Sequence, residues 1–474
     1  VRPDSPDTQS YTSEKPHING QNLQIGKEIP AQWWMLFRSP QLGKLIEQAL
    51  KHSPDLQAAQ NALTEASELA IAKNSGLFPS VDASFMSKRQ QISGAQFGNP
   101  NMTGSQFNIF SPSINVSYTL DVFGAVQRTI EGLMAEADYQ RFQLEGAFLT
   151  LSGNIVTTAI TEAAIREQIG IIEDLIKLRT QQLDIVKQQQ ALGGATQADV
   201  LAQQTAVEQE RANLPALQKQ LQQTRHRLAV LVGNTPNQEP PIFTMADLKL
   251  PKDLPLSLPS KLVTQRPDIR GQEALLKAAN AKIGFMLSKM FPDFTITASV
   301  ASIATRVGDL FIPGSAIWNT GLNLLQPIFH GGENVHQYRA AAAAYEAAAA
   351  RYRSTVLNAL QNVADTLSAL EADSNAINAQ TTVLQTAQTS LELNRTQYKV
   401  GAVSYLSTLN AENAYQQARI GLIKAKASQL ANTVALFQAL GGGWWQRADL
   451  ARELGTQQSK KEPAWLPYFD WSFK

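Results

Sequence analysis

The chain has 474 residues, with 41 lysines and arginines against 40 aspartates and glutamates, five histidines and no cysteine. That balance leaves no basic stripe for nucleic acid, and the missing thiols exclude disulfides, thiolate metal sites and cysteine nucleophiles. No run of about 18 apolar residues predicts a membrane-crossing helix, and Val1-Arg2-Pro3-Asp4 reads as the start of a trimmed chain, not as a signal peptide. A spanning β-strand remains open, because it needs only about 9–11 alternating residues.

After an N-terminal segment, 1–47, a helical pattern covers roughly 48–77, opening near Ser53-Pro54-Asp55-Leu56 and ending at Leu77-Phe78-Pro79. Strands are predicted at about 80–90 and 112–122. In them Val81, Ala83 and Phe85, then Ile114, Val116, Tyr118 and Leu120, alternate with small polar residues. A helix over roughly 125–191 follows, with Leu149, Ile155, Val156, Ala159, Ile160, Ala163, Ile169, Ile172 and Ile176 at helical spacing, the mark of helix–helix packing. The turn Gly193-Gly194-Ala195-Thr196 leads to a helix over roughly 197–232, started by a capping box of Thr196 and Asp199.

Beyond a linker, 234–260, the same order returns. A helix covers roughly 261–290, with Arg266-Pro267-Asp268-Ile269 near its start and Met290-Phe291-Pro292 at its end. Strands at about 293–303 and 316–328 precede a helix over roughly 333–399, which carries the run Ala340–Ala344. The turn Lys399-Val400-Gly401-Ala402 leads to a helix over roughly 404–440, capped by Ser404, and the segment 443–474 closes the chain. Pro54 to Pro79 and Pro267 to Pro292 are both 25 residues, and the two copies, 48–233 and 261–442, are offset by roughly 207–213 residues. A helix of about 70 residues spans about 100 Å, far wider than a compact domain. The expected arrangement is an elongated antiparallel wall in which helices of about 30 and 40 residues flank a long one. Links 91–111 and 304–315, rich in Gly, Asn, Ser and Pro, read as loops.

Four strands are too few for a closed barrel, whose smallest examples have about eight. They make either a small sheet beside the helices or one share of a barrel built by several chains, and sequence patterning alone leaves both open. Enzyme chemistry finds little support. The histidines are scattered, and Gly193-Gly194 lies between helices with no lysine after it, unlike a phosphate loop. His330, Glu333 and His336 could suggest a metal, and Met286 with Met290 a soft-metal pair, but the first three read better as polar residues facing water and the methionines as core fillers. No cofactor is predicted. A helical filament would explain the long helices but not the duplicated strands.

This pattern resembles the TolC-type outer membrane factors, and more closely their OprM/NodT-like branch, over roughly 30–445. The residues that carry the likeness are Trp33-Trp34 with Phe37, Pro40 and Leu42; the Pro-Asp and Phe-Pro pairs; Asp121-Val122-Phe123-Gly124; Gln326-Pro327-Ile328-Phe329; and Ala439-Leu440-Gly441-Gly442-Gly443-Trp444. The resemblance implies a mainly α, α+β fold in which a homotrimer forms a helical barrel and a shared 12-stranded transmembrane β-barrel, four strands coming from each chain. It implies a non-enzymatic exit duct of a tripartite pump in the Gram-negative outer membrane. Its partners would be a lipid bilayer, a periplasmic adaptor and an inner-membrane pump. Drugs or other small molecules would be the cargo, with protein secretion or metal and organic-acid efflux as alternatives. The strand loops would face outside the cell. Residues 1–47, 234–260 and the C-terminal segment would form an equatorial collar, and any lipid anchor would lie upstream of Val1. The resemblance also assigns a periplasmic gate to Asp199 and Tyr398, which would interact, and to Leu406 and Asn410, where the branch carries a Leu and then an Asp. Asn410 puts strong cation selectivity in doubt. Asp199 can equally be a plain N-terminal helix acid. The turn residues Gly193, Gly194, Gly401 and Val403 would meet the adaptor.

Overall fold

A computed structural model describes residues 10–13, 16–93, 95, 98 and 104–447. The expected C-terminal segment beyond Arg447, the first residues of the N-terminal segment and much of the first interstrand link lie outside the described residues. The elements are β1 (Asn22–Ile25), α1 (Pro40–His52), α2 (Pro54–Asn74), β2 (Ser80–Ile92), β3 (Ser105–Leu120), α3 (Ala125–Ala191) and α4 (Gln197–Leu231), then β4 (Asp253–Leu256), α5 (Pro259–Gln265), α6 (Pro267–Ser288), β5 (Asp293–Ser302), β6 (Ala316–Leu325), α7 (Glu333–Lys399) and α8 (Tyr405–Ala439). Each half therefore runs helix, helix, strand, strand, long helix, helix. The long helices have 67 residues each, and their successors 35 each.

The first helix of each copy differs from expectation. It is two helices, not one of about 30 residues, because Ser53 (φ −66°, ψ 121°) and Arg266 (φ −81°, ψ 127°) are extended. Each precedes a proline, whose ring disfavours the helical region for the residue before it. Pro54 and Pro267 then open α2 and α6, where a missing N–H costs nothing.

Described residues fall into two compact units, one built from 61–141 and 271–352 and the other from the remainder. The first unit holds one antiparallel sheet of order β2-β3-β5-β6. In its register Ala83 lies opposite Ile114, Ile114 opposite Val300, and Val300 opposite Trp318. The period of two gives the sheet one apolar and one hydroxyl-rich face. The apolar face is bare: Val81, Phe85, Ile114, Ile296, Val300, Trp318, Leu322 and Leu324 are all exposed. Across the polar face the Ser84 and Ser113 hydroxyls lie 2.7 Å apart, and those of Thr119 and Thr295 3.3 Å apart. β3 starts at Ser105, earlier than expected, and residues 105–111 pair with 86–92 where a loop was predicted. Beyond β3, the Asp121 carboxylate caps α3 by accepting from the backbone of Val126 (2.9 Å) and Gln127 (2.8 Å). The rings of Phe123 and Phe291 stack 4.7 Å apart at an interplanar angle of 16°.

The second unit has a helical core. Ile155, Val156, Ala159 and Ile160 of α3 are buried, as are Val356, Ala359, Val363 and Leu367 of α7, Leu228 of α4 and Val434 and Phe437 of α8. One 18-residue window of α3 is apolar enough to pass for a membrane span, but 67% of it is buried inside the protein, as in a core helix. Phe37 packs T-shaped against Trp33 and Phe437, and Trp33 lies tilted against Phe437, with centroids 5.5–6.3 Å apart. β1 pairs with β4 in parallel, which ties the N-terminal segment to the linker between the copies. Glu162, fully buried, accepts from Arg225 of α4 and Arg166 at 2.7 Å each. Arg225 also donates to Glu239 and to the carbonyl of Pro240, both at 3.1 Å.

Candidate functional site at the glycine turns

The two turns are built alike. After α3 the N–H of Gly193 donates to the carbonyl of Gln190 (3.0 Å) and that of Gly194 to Gln189 (2.8 Å). After α7 the N–H of Gly401 donates to Tyr398 (3.0 Å) and that of Ala402 to Gln397 (2.9 Å). This is the Schellman pattern, which needs a left-handed residue in first place, and Gly193 (φ +80°) and Gly401 (φ +75°) supply it. Thr196 and Ser404 then cap α4 and α8. The residues just before the glycines, Leu192 and Val400, are 88% and 76% exposed. Val403 is half-buried.

Asp199 completes the capping box. Its carboxylate accepts from the Thr196 N–H (2.9 Å) and hydroxyl (2.7 Å), and these bonds hold its pKa below the usual aspartate value. Tyr398 points elsewhere, packing edge-on against Tyr405 with centroids 5.5 Å apart. No hydrogen bond joins Asp199 to Tyr398 among the described residues, so the expected pair is not brought together within one chain. Leu406, 60% exposed, and Asn410 project from α8.

A polar network that sequence reasoning missed lies beside them. The Tyr405 hydroxyl is 2.6 Å from Gln203 Oε1 and 3.1 Å from Gln182 Oε1. Gln203 Nε2 donates to the Arg179 carbonyl (2.9 Å), and Gln182 Nε2 to Glu412 Oε1 (2.8 Å), which also accepts from Arg395 at 2.9 Å. Arg179 donates to the Ala206 carbonyl (3.0 Å), to Glu210 (3.2 Å) and to Asn413. Gln203, Arg179 and Glu412 are buried, so the network ties α3 and α4 to α7 and α8 where water competes little. Burial foremost, then the charge of Glu412, pushes the Tyr405 pKa above its ordinary value and keeps the hydroxyl protonated. Thr408 Oγ1 and Glu412 Oε2 are buried with no hydrogen-bond partner among the described residues. Leu183, Val186, Val200 and Val207 form an apolar plug nearer the first turn. The available signal was a polar residue in an apolar stripe: Arg179 stands three before Gln182 and four before Leu183, and Gln203 between Val200 and Val207.

Glu333, singled out with His330 and His336, accepts instead from Gln337 at 2.8 Å. Among the described residues no group of three such side chains is gathered to hold a metal.

The profile of the outer membrane efflux protein family matches residues 45–234 and 258–442. The pyoverdine export outer membrane protein OpmQ of Pseudomonas putida is 30% identical over 425 residues, covering 88% of this chain and 89% of its own. The toluene efflux pump outer membrane protein TtgC of Pseudomonas putida is 28% identical over 440 residues, 90% of this chain and 88% of its own. Among solved structures, the open-state outer membrane channel MtrE of Neisseria gonorrhoeae aligns with a TM-score of 0.80 at 25% identity, covering 92% of this chain and 98% of that one.

Proposed function

The chain belongs to the outer membrane efflux protein family, and we propose how it works as the outer-membrane exit duct of a tripartite efflux system. One observation carries the reading. The four-stranded sheet has a bare apolar face, a hydroxyl-rich face and, among the described residues, two unpaired edges, β2 and β6. Such a face in water would be an aggregation liability; against lipid it is the outer wall of a barrel. Three chains giving four strands each close a twelve-stranded barrel in the bilayer, with every edge paired. Their helices line a periplasmic tunnel.

The turns form the periplasmic entrance. Leu406 and Asn410 of three chains narrow it, and Tyr398 and Asp199 meet across its helix ends as it closes. The exposed Leu192 and Val400, with Gly193, Gly194, Gly401 and Val403 in the same turns, offer an apolar rim to an adaptor. Energy comes from an inner-membrane pump, and transport through the duct is passive. The relatives named for pyoverdine export and toluene efflux support small-molecule cargo chosen by the pump.

The test is conductance of the purified protein in planar bilayers. Leu406→Ala and Tyr398→Phe each raise leak conductance. Unchanged conductance in both removes the gate residues, and a protein that stays dispersed without detergent and forms no channel removes the duct.

A further inference from the structure

The first unit contains one complete junction between the two copies of the repeat. β3, the last strand of the first copy, pairs antiparallel with β5, the first strand of the second, from Ser113 opposite Ala301 to Leu120 opposite Phe294. At the end of this junction Phe123, which follows β3, stacks on Phe291, which precedes β5. Each ring has a counterpart in the other copy. Phe291-Pro292 corresponds to Phe78-Pro79, and the Phe123 of Asp121-Val122-Phe123-Gly124 to the Phe329 of Pro327-Ile328-Phe329-His330. Phe78 precedes the edge strand β2 and Phe329 follows the edge strand β6, and they are 53% and 85% exposed. The chain thus makes the junction once and carries the two complementary halves of a second one at its opposite edges.

We propose that β6 of one chain pairs antiparallel with β2 of a second copy in the register of the internal junction, with Phe329 stacked on Phe78 of the partner subunit. The inference rests on the barrel reading above and adds to it a register and a contact. Carrying Phe294 back to Val81 and Leu120 forward to Gln326 puts Val81 opposite Gln326. Ala83 then faces Leu324, Phe85 faces Leu322 and Ser87 faces Thr320 across the interface. Chemistry unrelated to the transfer agrees with this register. Apolar residues meet apolar ones on the lipid side, Ser84 meets Asn323 on the other, and Arg89 falls opposite Trp318, where a cation can sit over the indole. Val81 opposite Gln326, Asp82 opposite Leu325 and Gln90 opposite Ile317 break the match. A slip of one residue would turn every side chain to the wrong face, and a slip of two would draw the phenylalanines apart.

The chain's lack of cysteine makes disulfide trapping clean. Directly opposed residues in an antiparallel pair sit about 4.5–5.5 Å apart at Cα, within the about 4.4–6.8 Å a disulfide spans. The full-length protein in outer-membrane vesicles carries Ala83→Cys with Leu324→Cys, or Phe78→Cys with Phe329→Cys, and is oxidised with copper phenanthroline. The expected result is a ladder of dimer and trimer on non-reducing gels for both pairs, at least tenfold above Ala83→Cys with Thr320→Cys, a register displaced by four. Ile114→Cys with Val300→Cys, across the internal junction, closes within one chain and reports that the sheet has formed. Linkage strongest in the displaced pair overturns the register while the barrel stands. No linkage in any edge pair, with the internal control closed and channels still present, overturns the edge pairing. Loss of channels from the unmodified protein as well overturns the barrel reading itself.

Discussion

The Tyr405 hydroxyl lies 2.6 Å from Oε1 of Gln203, a side chain with no exposed surface. That contact joins the helix after the second turn to the helix after the first. Moving α7 and α8 away from α3 and α4 therefore requires breaking a buried polar network and not only sliding apolar surfaces. Tyr405→Phe keeps the ring against Tyr398 and removes the hydroxyl, leaving a buried amide oxygen short of a donor. The expected cost is about 1–3 kcal/mol. Denaturant titration in detergent measures it, and bilayer recordings of the same variant show raised leak.

The glycine turns give a comparison the chain has already made. Gly193→Ala and Gly401→Ala force a Cβ into the left-handed region, at about 1 kcal/mol each. Gly194→Ala is tolerated: a Cβ there meets only the Gln189 carbonyl at 3.5 Å, an ordinary contact. The second copy carries Ala402 at that place in the same hydrogen-bonding pattern. Thermal melts of the three variants should divide in this way, with Gly194→Ala unshifted.

Asp199 makes the start of α4 sensitive to acid. Its folded pKa is lowered by the Thr196 hydroxyl and N–H, so its contribution is fully present above the ordinary aspartate pKa and is lost as pH falls through the lowered value. At neutral pH Asp199→Asn should speed amide exchange at 199–203. In the unmodified protein the same amides should exchange faster, relative to the intrinsic rate, only at strongly acid pH. Equal rates in variant and parent at neutral pH would remove the capping role.

Glu162 is enclosed, and Arg225 is its more buried partner. Arg225→Met leaves that carboxylate with only the partly exposed Arg166, and the loss should be about 3 kcal/mol, the lower end for a broken buried pair. The double replacement Arg225→Met with Glu162→Leu should recover part of it, since no charge is then stranded. Paired denaturation curves, read as a double-mutant cycle, decide the point.

Much of this was legible in the residues. The repeat, both long helices and the alternating strands follow from periodicity that runs unbroken for many residues, and the capping box at Thr196 from its spacing. The breaks at Ser53 and Arg266 were legible too, because each stands before a proline, but continuous helical patterning on both sides masked them. The early start of β3 was hidden by Ser105, Gln106, Asn108, Ser111 and Pro112, residue types that mark loops elsewhere. The polar network could not be read by spacing alone. Arg179 and Gln203 flank the first turn, while Tyr405 and Glu412 come from the second copy about 200 residues later, and only folding brings the two sets together. The same distance defeats any reading of where Tyr398 turns, which the Tyr405 ring decides.

The polar face of the sheet has a consequence for whatever moves along it. Over 113–119 and 295–299 its residues are Ser113, Asn115, Ser117, Thr119, Thr295, Thr297 and Ser299, uncharged, while Asp82 and Lys88 of β2 and Asp293 at the start of β5 are charged groups on the same face. Hydroxyls and amides both give and take hydrogen bonds. A passing solute can exchange its hydration for theirs one partner at a time, with little to gain or lose at each step. In the proposed barrel such a lining offers partners of either sense along most of its length, and Asp82, opposite Asn115, is the place where a passing cation would be held longest.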